Sequence, residues 1–162
     1  ALARLGRHSM MYLEDIVVGT IRQFGRYEVT EDEIIGFAKT YDDQSFHTDV
    51  EAARGSIYGG LIASGWHVCA MFMRMACDAQ EGQNRMASLG SPGFDDLKWL
   101  VPVRPGDVLS ARTEVIGARP SRSKRDRGTV SAKIQVLNQT GAVVLEMTSM
   151  GRFFRRPAEA ET

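Results

Sequence analysis

The chain has 162 residues, of which 43% are hydrophobic and 25% charged, and its acidic and basic side chains balance to a formal net charge of zero. That size and mix suit one globular domain with a core of its own. A chain with no basic excess gives no global electrostatic reason to expect a nucleic-acid partner.

Residues 1–10 are small and basic and lack the apolar run of a secretory leader. They read as a tag or disordered N-terminus, and the domain proper is expected over residues 11–157. Residues 11–19 form a loop whose Tyr12 and Leu13 tuck under the fold. Residues 20–29 mix β-branched, aromatic and polar side chains and predict a first strand, interrupted by a bulge at Gly25. Thr30 and Glu33 have the spacing of a capping box. Ile34, Phe37, Ala38 and Tyr41 follow at helical spacing, which predicts a helix of about ten residues with that face turned inward. Residues 49–54 predict a second, short helix.

Residues 60–79 are expected to form the central helix. Leu61, Ile62, Trp66, Val68, Met71, Phe72, Met73 and Met75 leave almost no polar face in its middle, and a helix apolar all round is a buried one. His67 and Arg74 within it argue against a membrane span. Cys69 and Cys77 lie roughly 12 Å apart along such a helix, too far for a mutual disulfide. They read as small core residues of a reducing compartment, so a cytoplasmic protein is expected.

After a polar loop at residues 80–88 the period changes from helical to alternating. Residues 94–103 place Leu97, Trp99 and Val101 on one face. Residues 108–117, 129–137 and 142–154 read as three further strands, joined by turns such as Pro105-Gly106-Asp107. Residues 158–162 are a polar tail. A strand, helices, a long apolar helix and four hairpin-linked strands imply an α+β fold with an antiparallel sheet.

Chemistry concentrates in residues 41–65. Asp42 and His47 cannot share a helix face, because five steps of about 100° set them roughly 140° apart. They converge only if the chain turns between them, and Asp43, Gln44 and Ser45 are turn-tolerant. A carboxylate and an imidazole aimed at one point suit proton transfer. The ordinary role of such a pair near a helix end is capping or turn chemistry. Gly59, Gly60 and Gly65 allow close backbone approach, and N–H groups opening a helix can face an oxyanion. Ser64 at a helix start has capping as its default role. His67 reads as a hydrogen-bonded core histidine, and no metal-ligand spacing joins His47, His67 and the nearby aspartates.

Residues 12–157 resemble the MaoC-like (R)-specific enoyl-CoA hydratases. Their motif Asp-x-Asn-Pro-x-His is matched by Asp42, Gln44, Ser45 and His47, and their Ile-Ala-His-Gly segment by Ile62-Ala63-Ser64-Gly65. Gln44 stands for Asn, Ser45 for Pro and Ser64 for His. The resemblance implies a single hotdog domain, with the sheet wrapped around the central helix, and a homodimer or higher homo-oligomer. It implies Asp42 and His47 as the catalytic pair and the Gly65 N–H as an oxyanion donor to an acyl-CoA thioester. No metal or organic cofactor is expected, coenzyme A being part of the substrate. Ser64 is a candidate substrate contact. The basic run that includes Arg122, Lys124 and Arg125 has a solvated hairpin tip as its default reading and a coenzyme A phosphate anchor as its functional one. The activity implied is a hydro-lyase interconverting enoyl-CoA and (R)-3-hydroxyacyl-CoA. An acyl-CoA thioesterase and a non-catalytic acyl-binding subunit are the alternatives on the same fold.

Overall fold

Three long strands with alternating inward side chains carry the sheet. The computed structural model describes residues 10–80 and 85–158, so the reading of residues 1–9 and of most of the polar tail lies outside the described residues. A 3-10 turn at Leu13–Asp15 precedes β1 (Ile21–Glu28), α1 (Glu31–Tyr41), α2 (Ser45–Thr48), α3 (Val50–Arg54), α4 (Gly65–Asp78), β2 (Phe94–Trp99), β3 (Val108–Pro120), β4 (Arg127–Leu137) and β5 (Val143–Phe154). The five strands form one antiparallel sheet in the order β1-β3-β4-β5-β2. The α+β class and the hotdog arrangement, a sheet wrapped on one long helix, both hold. Val68, Met71 and Phe72 of α4 pack into one cluster with Leu109, Ile134 and Leu145 from three of the strands.

Local signals explain the helix before the site. Thr30 is the N-cap of α1 and its side chain accepts from the Glu33 N–H at 3.3 Å. Ile34 and Ala38 are buried, but Tyr41, expected on the same inward face, is 75% exposed. It sits at the last position of α1, where its ring meets only the ring of Phe37 among aromatic neighbours.

Three sequence expectations need correction. The central helix begins at Gly65 rather than residue 60. The backbone just before it is committed elsewhere: the Ile62 N–H donates to the Phe46 carbonyl at 3.2 Å and the Ala63 N–H to the Val103 carbonyl at 2.8 Å. Nor is the helix buried all round. His67, Val68, Met71, Phe72 and Met75 are buried, whereas Trp66 is 60% and Met73 48% exposed. One sheet covers one face, and among the described residues nothing covers Trp66 and Met73 on the other. The alternation predicted for residues 94–103 also breaks. Asp96 has a φ of +53° and the pairing of β2 with β5 shifts register between Asp95 and Lys98. Leu97 still packs on the core, while Trp99 and Val101 stay exposed.

The bulge at Gly25 positions α4. The register of β1 on β3 shifts between Phe24 and Tyr27, and Gly25 has a φ of +81°. A Cβ at this position would lie 2.5 Å from the Met75 sulfur and 2.8 Å from its Cβ. The missing side chain therefore lets α4 lie directly on β1. Among the described residues, no helix is long and apolar enough to cross a membrane. Cys69 is half-buried and Cys77 exposed, and both are free thiols.

Gly25→Ala is expected to destabilise the fold by about 2–4 kcal/mol, combining a strained positive φ with overpacking against Met75. Urea denaturation measures it. An unchanged midpoint would mean that the contact between α4 and β1 is loose.

Candidate active site

The site is built where α1 ends. Asp42 caps α1 through its N–H to the Ala38 carbonyl at 2.8 Å, and its φ of −154° and ψ of 64° take the chain out of the helix. Gln44 starts the single turn of α2, which carries His47. This turn between the two residues brings Asp42 Oδ2 to 3.4 Å from His47 Nε2.

Residues 61–64 run as a buried strap behind the pair. His47 is 5% exposed, and its Nδ1 lies 2.7 Å from the Ile62 carbonyl oxygen. A carbonyl only accepts, so Nδ1 carries a proton and donates, and Nε2 is the ring nitrogen that faces Asp42. Ser64 stands at the N-cap position of α4, yet its side chain caps nothing. Its hydroxyl instead donates to Asp42 Oδ2 at 2.6 Å, while the Gln44 amide donates to Oδ1 at 2.6 Å. Both carboxylate oxygens thus accept a strong bond. Ser64 first, then Gln44, hold the Asp42 carboxyl below its ordinary pKa, with a smaller pull from His47, against a desolvation that pushes it up. Those donors stabilise the charged form.

Gly65 is the first residue of α4, so its N–H has no acceptor within the helix. Its carbonyl accepts from the Trp99 indole N–H at 2.9 Å. A Cβ on Gly65 would fall 2.3–2.6 Å from indole atoms of Trp99. The indole therefore lies flush against the start of α4, in space only a glycine leaves free. Asp42, His47, Gly65, Trp66, Trp99 and Val144 are among the residues lining one cleft of about 580 Å³. Its volume falls in the range of small-molecule sites.

The basic residues Arg122, Lys124 and Arg125 are exposed at the tip between β3 and β4. That tip adjoins the Phe154 end of β5, which pairs with Arg127, whereas Val144 at the other end lines the cleft. Strand rise separates the two ends by roughly 30 Å. Within one chain these three residues do not converge with Asp42 and His47. His67 is buried with its ring stacked on Phe37 at 4.6 Å, but Nδ1 has no hydrogen-bond partner, in contrast to the hydrogen-bonded histidine expected. Burial lowers its pKa, opposed in part by the Glu33 charge.

Sequence reasoning missed two contributors. Trp99 reaches Gly65 only through the tertiary fold, and no spacing encodes that contact. The Ser64–Asp42 bond spans 22 positions, its one trace being a hydroxyl at the substituted motif position.

An antiparallel sheet wrapped on one helix, with a carboxylate and an imidazole meeting beside that helix's amino end, defines a hotdog-fold protein with a carboxylate–imidazole pair in its cleft. The MaoC like domain family matches residues 17–139. The chain belongs to this MaoC-like dehydratase family. It is 41% identical to the MaoC-like dehydratase from Rhodospirillum rubrum, with a TM-score of 0.82 over 91% of this chain and 99% of that one. It is 29% identical to a monoamine oxidase regulatory protein from Archaeoglobus fulgius, with a TM-score of 0.84 over 93% and 99% of the two chains. The (R)-hydratase from A. caviae involved in PHA biosynthesis shares the fold at 19% identity, with a TM-score of 0.66 over 89% of this chain and 99% of that one.

Gly65→Ala is expected to cost about 1–3 kcal/mol by displacing the Trp99 indole, although alanine is the better helix former. In a Trp99→Leu background the cost should shrink or reverse sign. Thermal melts of the four proteins in a double-mutant cycle measure the coupling. Additive effects would mean that the indole yields freely.

Proposed function

We propose that the chain is a hydro-lyase that adds water to an enoyl-CoA thioester, or removes it from the (R)-3-hydroxyacyl-CoA. The observation that carries this reading is the approach of Asp42 Oδ2 to within 3.4 Å of His47 Nε2 on the wall of the cleft. With Nδ1–H committed to Ile62, both facing atoms are acceptors. A water seated beside the pair on its cleft side donates one hydrogen to each, which raises its nucleophilicity. Its oxygen forms a bond to the β-carbon as the carbon–carbon double bond opens, and charge moves onto the thioester oxygen. The Gly65 N–H at the start of α4 stabilises that oxygen. The proton taken from water returns to the α-carbon, so water is added in full and the pair is restored. Both groups act from one side, so addition is syn. The Asp42–His47 pair supplies the proton transfers, and the reaction as proposed draws on no further cofactor.

A homodimer fits the surface. Trp66, Trp99, Leu100 and Val101 line the cleft and are 60%, 45%, 52% and 39% exposed in the single chain. A second copy laid over them would close the cleft, and could bring its own Arg122, Lys124 and Arg125 toward substrate phosphates. Analytical ultracentrifugation tests the dimer, and a monomer at micromolar concentration overturns it.

A hydration assay over enoyl-CoAs of graded length and branching tests the activity. Release of free thiol in place of hydration would turn the reading to thioester hydrolysis. Asp42→Asn and His47→Gln are each expected to lower kcat by ~10²–10⁴-fold with the fold intact. The double variant should lose little beyond the worse single one, because both groups act on one water. Near-wild-type turnover in Asp42→Asn rejects the assignment. Asp43→Asn, altering an exposed neighbour outside the cleft lining, is the control that keeps full activity.

A further inference from the structure

We propose that Ser64 is a positioning residue for the acid–base pair, its hydroxyl fixing the Asp42 carboxylate so that Oδ2 faces His47 and stays charged. Its kinetic consequence rests on the hydro-lyase reading above; its effect on the carboxylate rests on geometry alone.

Ser64 is 0% exposed, so its hydroxyl is shielded from water. Its bond to Oδ2 is short, at 2.6 Å. A helix N-cap serine ordinarily bonds the N–H groups of its own first turn. Ser64 forgoes that role and spends its single donor on a side chain from another helix. The oxygen it holds is the one 3.4 Å from His47 Nε2. The other oxygen is held by Gln44. Two donors on opposite oxygens define the carboxylate plane, which one donor would leave free to rotate. His47 on α2 is the titratable group facing Asp42, and α4 contributes the neutral Ser64.

The backbone on either side of Ser64 fixes its place. Ala63 is tied to Val103 and Ile62 accepts from His47, so the strap that receives the His47 contact holds Asp42 two residues further on. Position 64 thus registers the carboxylate against the imidazole. A hydroxyl there is small enough for a fully buried position and donates without carrying charge. Hydrogen bonding to the ionised form favours it, in line with the lowered pKa of Asp42.

The test compares wild type, Ser64→Ala and Ser64→Thr. The first readout is 13C NMR titration of the side-chain carboxyl carbons, with the Asp42 signal assigned by its loss in Asp42→Asn. Wild type should titrate below the ordinary aspartate range, Ser64→Ala should move upward, and Ser64→Thr, which keeps the hydroxyl, should stay near wild type. The second readout is kcat and KM on the best enoyl-CoA. Ser64→Ala should lose ~10–100-fold in kcat, as expected for a bond to a charged group, with KM nearly unchanged. The third is stability against pH. A depressed carboxyl pKa stabilises the fold above its unfolded value, and this is lost as pH falls through the folded value. The melting-temperature deficit of Ser64→Ala should therefore shrink in acid. A wild-type Asp42 that titrates in or above the ordinary range overturns the proposal, and that measurement needs no variant at position 64 to fold. So does a Ser64→Ala protein with unchanged Asp42 titration. If wild type hydrates no enoyl-CoA, the hydro-lyase reading fails, while the titrations still decide whether Ser64 sets the carboxylate.

Discussion

The strap of residues 61–64 is the constraint on which the site depends. It is buried along its whole length, so its polar groups must find partners inside the protein. Ala63 binds Val103, and the Ile62 N–H binds Phe46. The Ile62 carbonyl is left to accept from His47, and the Ser64 hydroxyl to donate to Asp42. Satisfying a buried backbone and orienting two reactive side chains are here the same set of bonds. A shift of the strap would disturb the imidazole, the carboxylate and the start of α4 together. That coupling ties together a site drawn from two loops and a one-turn helix.

Much of the fold was legible because its signals are local. The N-cap at Thr30, the bulge at Gly25 and the alternation of β3 and β4 each follow from side chains within a few positions of one another, although of the capping box only the Thr30 half forms. Where the reading failed, tertiary structure outweighed pattern. An apolar run predicts a helix from residue 60, but hydrogen bonds to Phe46 and Val103 hold residues 62 and 63 outside the helix. Alternation predicts an inward Trp99, but the irregularity at Asp96 turns the strand, and the indole lands on Gly65. In the site, the Asp42 and His47 spacing was visible together with the need for a turn between them. The reach of Ser64 to Asp42 was not, since a serine before a helix carries the same local signal whether it caps or reaches across.

Gly65 illustrates how one residue type can meet two demands. It opens α4 with an unpaired N–H, and it makes room for the Trp99 ring that donates to its own carbonyl. The indole bond fixes the peptide after Gly65, and the Ser64–Asp42 bond anchors the residue before it. The amide of Gly65 thus lies between two anchored groups, and its direction is set before any ligand arrives. Preorganisation of this kind is what allows a backbone N–H to stabilise charge without reorganising as the charge develops.

The two histidines buried among the described residues, His47 and His67, show how differently an imidazole can be held. Both are nearly inaccessible, at 5% for His47 and 6% for His67. His47 has Nδ1 bonded to a carbonyl, so its neutral tautomer carries the proton there, and Nε2 faces a carboxylate in the cleft. His67 lies with its ring flat on Phe37, and its Nδ1 faces no partner. An unsatisfied buried nitrogen costs about 1–3 kcal/mol, and charging it would cost more. Burial accordingly keeps His67 neutral, with the Glu33 charge offsetting only part of the effect. Burial alone makes a histidine inert. A fixed tautomer together with an acceptor opposite the free nitrogen gives it direction. Of the two, only His47 has both, and the proposed acid–base role of His47 and Asp42 rests on that arrangement.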